Sequence, residues 1–128
     1  MSSVVLDASV LLALINEEAG SQHISPHLLA EAVVSTVSLA EVQGKLVSSG
    51  WNPEEAWEDA TIGVSEIIPF RTEHAKTAGS LIAATRGFGL SLGDRACLAL
   101  ALSLNAPLYT ADRSWKNLKI GVRIHVIR

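Results

Sequence analysis

A chain of 128 residues is the size of one ordinary domain and can bury an apolar core without disulfides or a structural metal. With 48% hydrophobic and 18% charged residues it is not a disordered chain, and no apolar run reaches the roughly 18 residues that a membrane span needs. The net charge of −3 argues against a protein that coats nucleic acid by charge alone, although the halves differ: residues 1–66 set ten acids against Lys45, and residues 67–128 set nine bases against three acids.

Val4-Val5-Leu6 is a short β-branched run that predicts a buried strand, and Val10–Ile15 predicts a helix after the turn Asp7-Ala8-Ser9. The start MSSVVLDAS carries neither a basic leader nor a cleavage site, so the expected location is cytoplasmic. Gly20 and Ser21 break the first helix; a short helix around His23–Ala30 and a second buried strand over Ala32–Thr36 follow. Ser38-Leu39-Ala40-Glu41 has the S-x-x-E form of a capping box and opens a helix over Leu39–Ser48. Asn52-Pro53-Glu54-Glu55 places a cap, a first-turn proline and two dipole-favoured acids ahead of a helix to about Ser65. Ile67–Pro69 is a short strand, and the spacing of Ala75, Ala78, Leu81 and Ile82 predicts a helix from Thr72 to Thr85. Ser91-Leu92-Gly93-Asp94 leads into Ala96–Leu104, so apolar that it must be covered on most sides. Pro107–Thr110 is a strand, Ala111–Trp115 a turn and Val122–Ile127 a closing strand. Short strands alternating with helices predict an α/β fold, one domain over 1–128 with three layers (α/β/α) and a central, mostly parallel sheet of about five strands.

In such sheets ligands bind beyond the carboxyl ends of the strands. Asp7 follows the first strand directly, and Asp112 follows Leu108–Thr110 by one residue. Glu41 lies early in the helix after the second strand and Asp94 at the start of the apolar helix, so all four acids can face one edge. Gathered carboxylates repel, and either protons or a divalent cation must neutralise them; an all-oxygen set selects Mg²⁺ or Mn²⁺ over zinc. Each acid also has a structural explanation: Asp7 as a helix cap, a task open to Ser9; Glu41 in its capping box; Asp94 as a first-turn acid with Ser91 as cap; Asp112 as a turn residue. The combination favours the functional reading.

The segments VVLDASVLLALI, STVSLAEV, LSLGDRACLALA and PLYTADRSW resemble, in order and separation, the successive motifs of PIN-domain proteins, in particular VapC-type toxins of bacterial toxin–antitoxin pairs. The resemblance spans the chain. It implies that Asp7, Glu41, Asp94 and Asp112 are the acidic active-site residues, with Ser9, Ser38 and Thr110 at the family's small polar positions beside them. Arg95 and Arg113, each following one of these acids, are expected contacts for substrate or antitoxin. Ser114 stands where many relatives carry a further acid, so a fifth carboxylate has no counterpart here. The resemblance further implies RNA as substrate, endonucleolytic cleavage, a homodimer and a cognate VapB-type antitoxin whose peptide lies along the groove.

On this reading water is the nucleophile. Metal held mainly by Asp7 and Asp94 polarises the scissile phosphate and activates water, Glu41 orients or deprotonates that water, and Asp112 holds metal directly or through water. His23, His27, His74 and His125 lie in unrelated contexts and are read as surface or core residues, as are Tyr109, Trp115, Trp51 and Trp57. Cys97, the one cysteine, is read as a buried thiol without a role. A haloacid-dehalogenase-like phosphatase is a weaker reading, because Ser9 replaces that family's second aspartate; a PIN-like module that only binds a partner is the other alternative.

Overall fold

β-branched and small apolar residues alternate in direction along the first two strands, and that alternation divides the interior into two cores. The architecture is that of a computed structural model describing residues 3–128; Met1 and Ser2, the first residues of the expected domain span, lie outside them. Strand β1 (Val4–Leu6) points Val4 and Leu6 to one face and Val5 to the other, and β2 (Ala32–Ser35) divides Ala32 and Val34 from Val33 in the same way. β3 (Glu66–Ile68), β4 (Leu108–Thr110) and β5 (Ile124–Val126) complete a five-stranded parallel sheet in the order β3-β2-β1-β4-β5. The edge strands β3 and β5 are three residues long, which limits the backbone they offer to further pairing.

Helices cover both faces. On the first lie α1 (Ala8–Ile15), α3 (Thr36–Ser48) and α4 (Pro53–Thr61), whose Val10, Leu11, Leu39, Val42, Ala56 and Ala60 pack on Leu6 and Val34. On the second, α5 (Thr72–Ala84) and α6 (Leu92–Leu104) pack Leu81, Cys97, Leu98 and Leu100 around Val5, Val33 and Leu108, and Trp115 from the 3₁₀ turn Arg113–Asn117 closes that core. A 3₁₀ turn at Ser21–His23 and the short α2 (Pro26–Leu29) connect α1 to β2, where one helix is expected from the sequence. Pro26 explains the division: Ser25 caps a new helix at Leu28 N–H and Pro26 takes its first position.

Helix α3 corrects a second expectation. It begins at Thr36, with Ser35 accepting from Val37 N–H as the cap, so Ser38 is a buried first-turn residue and no Ser38–Glu41 capping box forms. The later boundaries follow expectation more closely: Asn52 caps α4 through Glu54 and Glu55 N–H, and Ser91 caps α6. Strand order reverses between β1 and β4, and the crevice beyond their carboxyl ends is where Asp7 and Asp112 lie.

Candidate active site

Asp7 ends β1 and is itself the N-cap of α1, correcting the assignment of that task to Ser9. Its Oδ1 accepts from Val10 N–H at 3.2 Å and from the Ser9 hydroxyl at 2.5 Å, and its Oδ2 accepts from the Thr110 hydroxyl at 2.8 Å. Only 4% of the residue is exposed. Burial raises its pKa from 3.8 to about 6, against the downward pull of Ser9, Thr110 and Val10, and the nearby charge of Asp94 adds to the rise. Serine or asparagine caps a helix as well as aspartate does, so capping alone leaves the buried charge unexplained.

Glu41 falls in the second turn of α3, beyond any capping role, and its carboxylate occupies the space over Gly93 at the start of α6, where a Cβ would collide with it. Burial raises its pKa and the charge of Asp94 raises it further, while Lys45, one helical turn on, lowers it. Asp94 realises its structural alternative: Ser91 N–H donates to its Oδ2 at 2.9 Å and its own N–H donates to Ser91 Oγ. Beneath the three acids lies Cys97, whose thiol is held well above its ordinary pKa by burial and then by Asp7, Asp94 and Glu41. All three negative charges thus act on one point of α6. Cys97 is buried in the second core, as expected.

Asp112 is joined to this corner by its backbone, and one oxygen of its side chain is engaged by the turn that follows. Its N–H donates to Thr110 Oγ1 at 3.1 Å, the same hydroxyl that donates to Asp7, but its carboxylate caps the following 3₁₀ turn. Ser114 donates to Asp112 Oδ1 from its N–H at 2.9 Å and from its hydroxyl at 2.7 Å, so the serine at the position of a further acid in relatives here binds the fourth carboxylate. Asp94 thus lies within electrostatic reach of Asp7 and of Glu41, whereas Asp112 contributes to neither shift. Among the described residues no three His, Cys, Asp or Glu side chains surround one point closely enough to hold an ion.

Of the small polar residues, Ser9 bridges Asp7 to Ala111 N–H at 2.9 Å and Thr110 is fully buried, while Ser38 is 1% exposed. Arg95 turns toward α5, where its Nη1 donates to Ala78 O at 2.8 Å, and Arg113 Nε donates to Arg128 O at 3.0 Å. His74 is a core residue accepting from Arg71 N–H, and Trp115 is 1% exposed. Two features escape the sequence. Gly93 makes room for Glu41, and Tyr109 and His125 stack across β4 and β5 with ring centroids 4.7 Å apart. The first has a signal only in a glycine opening a helix; the second depends on strand register.

The donor set fits a hard divalent cation. Asp7, Asp94 and Glu41 offer oxygen alone, and ion pairs among the described residues join His27 to Glu31 and Arg128 to Glu18, none of the four acids. A buried carboxylate whose pKa is raised by burial and further by the charge of Asp94 is an environment that a cation relieves.

A family model, PIN domain, matches residues 4–121, and the chain belongs to that family. Its fold is that of VapC-type toxins: VapBC2 from Rickettsia felis bound to a promoter DNA fragment matches at TM-score 0.72 and 25% identity over 98% of each chain. DNA-bound VapBC from Salmonella typhimurium matches at 0.78 and 18% over 100% of each. Mycobacterium tuberculosis VapC20, a sarcin-ricin loop cleaving toxin, matches at 0.70 and 18% over 94% of this chain and 99% of that one. No curated protein matches in sequence. No helix among the described residues is long and apolar enough to cross a membrane.

Proposed function

We propose that this chain is a metal-dependent endoribonuclease and the toxin of a VapBC-type pair, acting in the cytoplasm as a single PIN domain. The observation that carries the reading is Asp7: a carboxylate 4% exposed, raised to about 6, facing Asp94 and fixed by two hydroxyls and an N–H at the strand-order reversal of a PIN fold. Asp7 and Asp94 would hold Mg²⁺ or Mn²⁺, with Asp112 joining directly or through water by the oxygen that Ser114 does not engage. The cation, when bound, supplies charge to the scissile phosphate and acidifies water for attack. Ser9 and Thr110 fix both oxygens of Asp7, so that carboxylate needs no reorganisation to meet a ligand. Glu41, half-buried over Gly93 with a raised pKa, orients the attacking water and takes its proton.

The partner is proposed to be a VapB-type antitoxin, as in the complexes this fold resembles, with a homodimer as the active assembly. An apolar groove of about 260 Å³ between α1 and α4 supports it: Leu11, Leu14, Ile15 and Val64 line it and Asp59 stands at its rim. An amphipathic helix with basic flanks matches that lining and the acidic Glu54, Glu55 and Glu58 of α4.

A second reading, a PIN module that binds without cutting, is favoured by one observation: among the described residues no three acidic, His or Cys side chains surround one point closely enough to hold an ion. Antitoxin-free protein incubated with total and transfer RNA in Mg²⁺ or Mn²⁺, beside EDTA and beside a generic phosphomonoester, separates the readings. Discrete metal-dependent cuts in RNA alone support the nuclease. Hydrolysis of the monoester alone indicates a phosphatase, and no hydrolysis of either moves the binding module ahead.

A further inference from the structure

On the α1 face of the sheet, at the β5 edge, an open depression of about 460 Å³ is lined by His23, Tyr109, His125, Val126, Ile127 and Arg128. Its floor is aromatic. Tyr109 and His125 are register partners on β4 and β5, and their rings lie 19° from parallel. Tyr109 packs its inner side against the α1 core and is part-exposed, while His125 and His23 are exposed. Arg128 lies at the rim, with one guanidinium nitrogen on Glu18 Oε1 at 3.0 Å and its backbone carbonyl holding Arg113. That contact uses one of the five donors of a guanidinium whose side chain is 36% exposed. A shallow, open site with a ring platform, two imidazoles and a neighbouring arginine pair, and no acid on its floor, suits a flat ring joined to an anion.

The depression is tied to the acidic edge. Asp7 N–H donates to Tyr109 O at 3.1 Å, and Thr110, the next residue of β4, points the other way and holds the Asp7 carboxylate. Arg113, next to Asp112 beyond the carboxyl end of β4, donates to Arg128 O, so the acidic edge and the depression meet at the same strand end. We infer that Tyr109, His125, His23 and Arg128 form a second nucleotide subsite, which stacks an unpaired base of single-stranded RNA on the outer face of the His125 ring, backed by Tyr109, and meets its phosphate with Arg128. The inference rests on the nuclease reading above. It makes these residues determinants of where the RNA is held, away from the reacting phosphate; base stacking of this kind tolerates every base and favours unpaired segments.

The test is binding of a fluorescently labelled single-stranded oligoribonucleotide to the full chain in EDTA, read by anisotropy without turnover. His125→Ala removes an exposed ring, so the fold is not at risk; Tyr109→Leu keeps the apolar packing and removes the ring that backs His125. His27→Ala, exposed on α2, controls for loss of an imidazole. Each platform variant is expected to weaken binding about tenfold, and His27→Ala to leave it unchanged. With Mg²⁺ or Mn²⁺ the same variants are expected to raise KM with kcat unchanged. RNA affinity of His125→Ala equal to that of the unaltered chain overturns the inference. The two proposals separate: cutting with an unchanged KM in His125→Ala removes the subsite and leaves the nuclease, whereas binding that depends on His125 without any cutting keeps the subsite and removes the nuclease.

Discussion

Asp7 and Asp112 hold the same station in the chain and differ in chemistry. Each stands within two residues of the end of a parallel strand, each caps the helix or turn that follows, and the Thr110 hydroxyl touches both, the carboxylate of one and the N–H of the other. Asp7 is buried beneath α1 with Asp94 close by, and its pKa rises to about 6. Asp112 is exposed, and Ser114 holds its carboxylate. Position in the chain gives an acid its place at the edge; burial and neighbours decide whether its charge is stored or spent locally.

Substitutions can break or sharpen this contrast. Asp7→Asn keeps the shape and an acceptor for Val10 while removing the charge, and cleavage of transfer RNA is expected to fall on the order of a thousandfold. The same variant should be more stable than the unaltered chain at pH 7. A rise from 3.8 to about 6 corresponds to about 3 kcal/mol held against folding when the group is ionised, less the acceptor lost to Thr110. Because the folded chain binds Asp7's proton more tightly than the unfolded chain, this contribution makes stability fall as pH rises from about 4 to about 6, and Glu41 adds a slope of the same sign. Urea denaturation in EDTA across that window should show a shallower fall for Asp7→Asn.

Gly93→Ala tests the third acid. The new methyl group meets the end of the Glu41 side chain, which can swing aside, so the fold should persist, with α6 gaining up to about 1 kcal/mol of helix propensity. Cleavage is expected to drop on the order of a hundredfold as Glu41 leaves its position. Asp112→Asn keeps the cap of the 3₁₀ turn and should reduce cleavage about tenfold, the loss expected of a group that acts through water or a neighbour. A thousandfold loss in Asp112→Asn would erase the distinction between the two strand ends.

The sheet, its flanking helices and the edge that gathers charge are legible from alternation, periodicity and turn residues. The start of α3 is not. Ser35, Thr36 and Ser38 are all competent caps, and the choice falls to Ser35 because β2 ends there, paired with Ile68 of β3, a contact between distant segments. This also changes the meaning of Glu41, which its apparent capping box would explain and which the observed helix leaves without a structural task. Asp94 shows the reverse, since it is the first-turn acid capped by Ser91 that the sequence suggests, with a reciprocal bond to Ser91 N–H added, and its charge still acts on Asp7, Glu41 and Cys97. Hydrogen bonds that span the chain, such as Thr110 to Asp7, and the Tyr109–His125 stack follow from strand order and register, which local patterns do not encode.

The most direct test is calorimetric titration of Mn²⁺ into the unaltered chain, Asp7→Asn and Asp112→Asn at pH 7, each shown to be folded. The account predicts saturable binding by the unaltered chain, its loss in Asp7→Asn and its weakening in Asp112→Asn. Equal binding by the unaltered chain and Asp7→Asn would contradict it, because the charge stored at the end of β1 would then hold no ion.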